Sequence, residues 1–391
     1  MDNYRPAIGT PIEQLDTPCL LIDLDALDNN HAVVADTYEG KICKMRQHTK
    51  NIKSPRLASL QIRAGGTLNG VCTAKLSEAE TMIEGGIHDV LIPNQIVTDD
   101  KLKRLAALNK QGDVKVTVDS TENIEDISRV AVDQGVTIGV LIEVDTMMRR
   151  GGVRSPEQGV VLAKLAEKLP GVRFMGVMSH QSADGWPDSD ELMRLSEEYI
   201  GICLEVKEAI EAEGINVEMV SSGETFSYAT ATEIDGVTEV EGGSYALMSN
   251  IYGYLDEFQI SNKVLGTIVS TVGSNIGVGD LGMKTLSTAA ATDASIEGIP
   301  GASILEVQDE HIYLKSDGHK FEVGQQFMVL PGYQDHLINR WDQYIGVRNG
   351  VVEQVLDIPG RGCHHYAVLD GPMEWTSERD TSVKITPGVD Y

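Results

Sequence analysis

From about residue 40 to 245 the chain alternates short apolar runs with amphipathic stretches, the pattern of repeated β–α units around a parallel sheet. Eight runs predict strands, at 42–47, 68–73, 89–93, 114–119, 136–144, 173–179, 216–221 and 237–241, with helical spacing between them at positions such as 76–84 and 155–168. Eight such units predict an α/β fold, a (β/α)8 barrel of the TIM type, with a doubly wound open sheet as the rival. Beyond residue 250 the texture changes to successive β-branched runs, among them VLGTIVSTV, SILEVQ, HIYLKS and YIGVRNGVVEQVLDI, and Arg348-Asn349-Gly350 supplies an Asn-Gly hairpin turn. A mostly antiparallel β domain is expected there. The early CLLIDL run precedes the first barrel helix and is expected to pair with the C-terminal strands. The resulting division is a barrel over 25–250 and a β domain made of 1–24 and 251–391.

A length of 391 residues suits this division into two domains. With 59 acidic against 32 basic residues and a net charge of −27, the surface repels nucleic-acid phosphates and anionic lipid. Neither nucleic acid nor a membrane is an expected partner. No run of about 18 apolar residues occurs, and the opening MDNYRPAIGT lacks the basic start and apolar core of a signal peptide. A cytoplasmic location is the expectation. Cys19, Cys43, Cys72, Cys203 and Cys363 are scattered without C-x-x-C spacing, which points to reduced thiols rather than a disulfide framework or zinc knuckle.

In a barrel of this type the working residues lie at the C-terminal ends of the strands, and the loops after strands seven and eight commonly hold a phosphate. Here strand seven runs into Ser221-Ser222-Gly223-Glu224-Thr225 and strand eight into Glu241-Gly242-Gly243-Ser244-Tyr245. Either loop alone is explained as a tight turn; the pair at these positions favours an anion held by free backbone N–H groups. Strand one ends in Arg46-Gln47-His48-Thr49-Lys50. Most lysines are solvated surface residues, but one facing a barrel mouth beside a histidine can form a Schiff base with an aldehyde cofactor.

The run Thr17-Pro18-Cys19-Leu20-Leu21-Ile22-Asp23-Leu24-Asp25-Ala26-Leu27 and the later His48-Thr49-Lys50 resemble the fold-type III pyridoxal-phosphate enzymes, the alanine racemase-like group, and within it the D-threonine aldolase and D-serine dehydratase family. The resemblance runs from Thr17 to about Cys363. It implies pyridoxal 5'-phosphate as cofactor, with Lys50 as the Schiff-base lysine and catalytic base. The family's S-G-G-G-T-G-T-Y maps onto 221–228, its E-x-x-x-G-S-Y onto 239–245 and its D-x-G-x-x-R-x-G onto 145–152. Ser222, Gly223, Thr225, Gly243 and Ser244 are thereby implied phosphate holders, Tyr245 part of the same binding set, and His48 and His180 neighbours of the cofactor. The pyridine nitrogen has two implied partners. Arg150 would leave it unprotonated, whereas Glu241 would keep it protonated and strengthen the electron sink.

The departures from the family concern the metal. Its P-x-H-x-[C or D] segment binds a divalent ion (Mn, Mg or Zn) that polarises the substrate hydroxyl, and the matching stretch here is Pro331-Gly332-Tyr333-Gln334-Asp335. Tyr333 replaces the metal histidine and Asp335 remains, so two outcomes stand: a metal on Asp335 with His311 or His336, or a lost metal whose place in proton transfer falls to Tyr333 and His311. Glu224 and Phe226 occupy positions the family gives to glycine and narrow the expected phosphate loop. The implied activity is a lyase acting on a β-hydroxy D-amino acid, by retro-aldol cleavage (D-threonine or 3-hydroxy-D-aspartate aldolase type) or by dehydration with loss of ammonia (D-serine dehydratase type). Aldolase is preferred on the aspartate at the second metal position. An amino-acid racemase is the alternative, Lys50 argues against a non-catalytic binding module, and a homodimer is expected from the group's habit of pairing.

Overall fold

The computed structural model describes residues 4–364 apart from 184 and 274, so positions 1–3 and 365–391 of the expected β domain lie outside the described residues. β1 (Cys19–Asp23) is followed by eight parallel strands: β2 (Lys44–His48), β3 (Thr67–Cys72), β4 (Asp89–Ile92), β5 (Asp113–Val118), β6 (Ile138–Glu143), β7 (Val172–Ser179), β8 (Met219–Ser222) and β9 (Glu239–Val240). β2 to β9 close into a barrel, each next to its sequence neighbour, with β9 returning to β2. The open-sheet rival is thereby excluded. β9 is shorter than the expected 237–241, because the chain leaves the ladder at Glu241 to form the glycine loop.

The chain then forms β10 (Asn262–Val272), β11 (Ile276–Gly279), β12 (Ser295–Glu297), β13 (Ala302–Val307), β14 (Ile312–Ser316), β15 (Gln326–Leu330), β16 (Gln343–Arg348) and β17 (Val351–Asp357). These make a mostly antiparallel sheet that takes in β1, which pairs antiparallel with β10 and parallel with β16. Among the described residues no helix is long and apolar enough to cross a membrane.

The barrel interior is layered. At its lower end Arg46 reaches Glu239 (2.8 and 2.9 Å) and Asp89 (3.0 Å), and Lys115 reaches Asp89 (2.9 Å) and Asp113 (2.7 Å). Buried charges of this kind persist only when paired. Gly70 is required here, since a Cβ would come within 2.5 Å of Asp89 Cγ and 2.7 Å of Arg46 Nη1. Above this layer Cys72, Leu91, Leu141, Met175, Met178 and Met219 form a separate apolar plug. His48, Glu143, Ser221 and Glu241 stand at the upper strand ends, so the plug seals the floor of the mouth from the ionic layer beneath.

Candidate active site

Lys50 lies in a single helical turn, Thr49–Asn51, directly after β2. The His48 side chain caps that turn, Nδ1 accepting the Lys50 N–H at 3.4 Å, and Thr49 Oγ1 donates to Cys72 O at 2.9 Å. The lysine loop is therefore fixed to the neighbouring strand. Among the described residues Lys50 Nζ makes neither hydrogen bond nor ion pair. Lys53, three residues on, is instead buried in an ion pair with Glu78.

Lys50 borders a cavity of about 160 Å³ lined also by His48, Asn94, Arg150 and His180. The His48 ring is held well below its ordinary pKa, first by burial and then by the positive charges of Lys50, His180, Lys53 and Arg150. His180 is pushed down to about 3 by burial, reinforced by Lys50 and Arg150. Both imidazoles are neutral at pH 7. Arg150 is half exposed, with Glu143 3.7 Å away. Glu241 does not line this cavity. It is buried at the barrel's upper end, accepts from Ser221 Oγ at 2.8 Å, and is pushed up to about 7 by burial, with the charge of Glu239 adding.

The two glycine loops lie side by side. Gly243 N donates to Thr225 Oγ1 at 3.3 Å, and Ser244 Oγ accepts from Gln334 Nε2 at 2.9 Å. The N–H groups of Gly223, Thr225, Phe226, Ser244 and Tyr245 have no backbone partner among the described hydrogen bonds. A Cβ on Gly243 would come within 2.7 Å of His48 O and 2.8 Å of Asn51 Nδ2. Gly223 has φ +114°, a conformation side chains disfavour. Two expected members behave differently. Ser222 Oγ is tied to Ser179 Oγ (2.7 Å) and Gln181 (3.0 Å) in the barrel wall. Tyr245 turns into the core, its ring 5.9 Å from Phe258, because successive side chains in a 3-10 turn diverge by about 120° and Ser244 takes the mouth-facing direction.

Across Lys50 opens a wider cleft of about 760 Å³, lined by Lys53, Lys75, Glu78, Asp335, Arg340 and His364 among others. The short helix Gln334–Ile338 brings Asp335 here, with Tyr333 as the residue before it. Tyr333 donates its hydroxyl to Asp335 Oδ2 at 2.9 Å, and Gln334 Nε2 donates to Oδ1 at 3.2 Å. Burial, then the charge of Asp335 and that hydrogen bond, hold the phenol well above its ordinary pKa. Glu224 faces the same region: burial raises its carboxyl to about 7, Lys50 opposes and Asp335 adds.

His311 does not join the cluster. It is exposed in the turn between β13 and β14, and its side chain makes no hydrogen bond among the described residues. His336 is exposed, its ring edge-on to Tyr333 at 5.7 Å. Among the described residues no three His, Cys, Asp or Glu side chains come together to hold a metal. With both Asp335 oxygens already accepting hydrogen bonds, this donor set does not fit a divalent ion. Sequence reasoning passed over Gln334, Lys75 and Arg340; only Gln334 carried a signal, lying inside the altered metal motif.

Comparison with known proteins follows the same layout. Residues 22–250 match the model of the alanine racemase N-terminal domain, and 261–347 that of a putative serine dehydratase domain. The chain is 34% identical over 370 residues to a 3-hydroxy-D-aspartate aldolase from Paracoccus denitrificans (strain Pd 1222), covering 91% of this chain and 95% of that protein. It is 28% identical over 348 residues to a D-threo-3-hydroxyaspartate dehydratase from Delftia sp. (strain HT23), covering 82% and 90%. The crystal structure of a D-threonine aldolase from Filomicrobium marinum superposes with a TM-score of 0.87 at 30% identity, over 92% of this chain and 99% of that one.

Proposed function

The chain belongs to the alanine racemase N-terminal-domain family of fold-type III pyridoxal-phosphate enzymes, and from that premise we propose that it is a lyase that splits a β-hydroxy D-amino acid by retro-aldol cleavage. The observation that carries the reading is one cleft bordered by an unpaired lysine, Lys50, on one side and by Asp335, which holds the Tyr333 hydroxyl, on the other.

The residues present fit the cofactor. Lys50 would hold its aldehyde end, while the free N–H groups of the two glycine loops and the hydroxyls of Thr225 and Ser244 would take its phosphate. Arg150, His48 and His180 would flank the ring. Arg150 is the better partner for the ring nitrogen, because it lines the cavity beside Lys50, whereas Glu241 is bound to Ser221 below it. When bound, pyridoxal phosphate supplies an electron sink for the pair left on Cα. Lys50, holding a proton taken from the incoming substrate amine, would give it to Cα once the Cα–Cβ bond has broken. At the other end, the substrate β-hydroxyl gives its proton to the Tyr333 oxygen as the phenol passes its own to Asp335 Oδ2, the Cα–Cβ bond breaks, and an aldehyde leaves. The same reading includes a homodimer, since the cleft beside Lys50 opens to solvent, and a cytoplasmic location, which five free buried cysteines suit.

Product analysis with D-threonine and 3-hydroxy-D-aspartate tests the reaction: aldehyde plus glycine supports it, while ammonia plus a keto acid, or a racemised amino acid, overturns it. If Tyr333 and Asp335 move the hydroxyl proton, EDTA leaves the rate unchanged and Tyr333→Phe lowers kcat on the order of 100-fold. Loss of activity in EDTA with recovery on adding Mn would return Asp335 to metal binding. Gly243→Ala is expected to weaken cofactor retention by about tenfold in equilibrium dialysis, since the new methyl meets His48 O; unchanged retention would place the phosphate elsewhere.

A further inference from the structure

The loop after β8 that would hold the cofactor phosphate carries a carboxyl of its own. Glu224 stands between Gly223 and Thr225, at a position given to glycine in the family the chain resembles. Its main chain is fixed: the N–H donates to Ser227 Oγ at 2.9 Å, and the carbonyl accepts the Ser227 N–H at 3.2 Å, which starts the 3-10 turn Thr225–Ser227. Its partly buried side chain makes neither hydrogen bond nor ion pair among the described residues. The groups that face it come from three segments. Lys50 lies on the turn after β2, Tyr252 and Tyr254 follow the second glycine loop, and Tyr333 and Asp335 stand at the start of the helix Gln334–Ile338. Tyr252 also stands against Ser244, so a phenol that senses Glu224 touches the second phosphate loop as well. Lys50 is the only cation among these neighbours, and it is the residue whose amine the cofactor aldehyde would take.

A phosphate entering this loop brings a charge of about −1.5 to −2 beside a carboxyl without a partner. Ionised, Glu224 repels that ligand; neutral, its O–H offers a phosphate oxygen a charge-assisted hydrogen bond. We propose that Glu224 enters the holoenzyme as the neutral acid and donates that hydrogen bond, so that the chain takes up one proton from solvent as it captures pyridoxal 5'-phosphate. The inference rests on the cofactor reading of the site and assigns to this chain a contact that glycine at the same position does not make. Burial holds the carboxyl at about 7 in the free chain, with Asp335 adding and Lys50 opposing. Below about 7 the proton is already in place and affinity does not depend on it. Above about 7 the proton has to be taken up, and affinity falls by up to about tenfold per pH unit.

Equilibrium dialysis of pyridoxal 5'-phosphate against the full chain at pH 7, 8 and 9 tests this, with Glu224→Gln and Glu224→Gly beside the parent. Between pH 7 and pH 9 the parent is expected to lose affinity on the order of 50-fold more than either variant. Calorimetry at pH 8 in two buffers of different ionisation enthalpy should find about one more proton taken up by the parent than by either variant. Pyridoxal, which has the ring and the aldehyde without the phosphate, is expected to show no such difference. Equal pH dependence in parent and variants overturns the proposal. So does a difference that pyridoxal shares, since the carboxyl would then act on the ring or on Lys50. A chain that retains no pyridoxal 5'-phosphate at any pH overturns the cofactor reading and this proposal with it, which keeps the two failures apart.

Discussion

Replacing Lys50 with alanine is expected to lower lyase turnover on the order of 10⁴-fold and to abolish borohydride labelling of the chain by bound cofactor. The size of the effect follows from the two duties assigned to one amine, covalent attachment and proton transfer at Cα. Lys53 is the nearest lysine in sequence, but its ammonium is buried against Glu78, and freeing it would leave that carboxylate buried and uncompensated. Peptide mapping after reduction checks the assignment, and a label on Lys53, or turnover in Lys50→Ala within tenfold of the parent, would refute it.

In the cofactor-free protein, stability is expected to fall by about 2.5 kcal/mol as pH rises from 5 to 8 through the ionisation of Glu241 alone, a loss that Glu241→Gln removes. Burial raises this carboxyl to about 7 from an ordinary 4.5. Between those values the folded chain keeps a proton that the unfolded chain has lost, so the stabilisation is complete below about 4.5 and disappears as pH climbs through about 7. The buried imidazoles of His31, lowered to about 4, and His180, lowered to about 3, act in the opposite sense. They are common to parent and variant, so the difference between two urea titrations, at pH 5 and pH 8, isolates Glu241. Identical pH dependence in the two proteins would mean that the carboxylate is solvated.

Much of the barrel was legible because β4, β6 and β7 are largely apolar on both faces, as burial under helices requires, and β5 keeps a valine at every second position. β2 was expected at 42–47 and spans Lys44–His48; four of its five positions are buried despite their polar side chains, since Arg46 finds Asp89 and Glu239 far along the chain and His48 caps the lysine turn. Motifs located Lys50, Gly243 and Asp335, whose spacing is local. They could not separate Ser244 from Tyr245, adjacent residues that a tight turn sends in different directions. Nor could they place His311, which lies exposed in the turn between β13 and β14. The wide cleft was beyond reach of the sequence altogether, because its lining comes from both the barrel and the β domain.

The position of β1 sets an order for the birth of the molecule. Leu21 pairs with Lys263 on one side and with Ile345 on the other, so a strand made among the first residues waits for partners made among the last. The ribosome will have released every barrel strand, through Val240, before either neighbour exists. During that interval Cys19–Asp23 presents an apolar strand with both edges open, the kind of segment that recruits other chains. Closure of the sheet is then a long-range event and a slow one. A translation product ending before β10 would carry a complete set of barrel strands and an unclaimed sticky end.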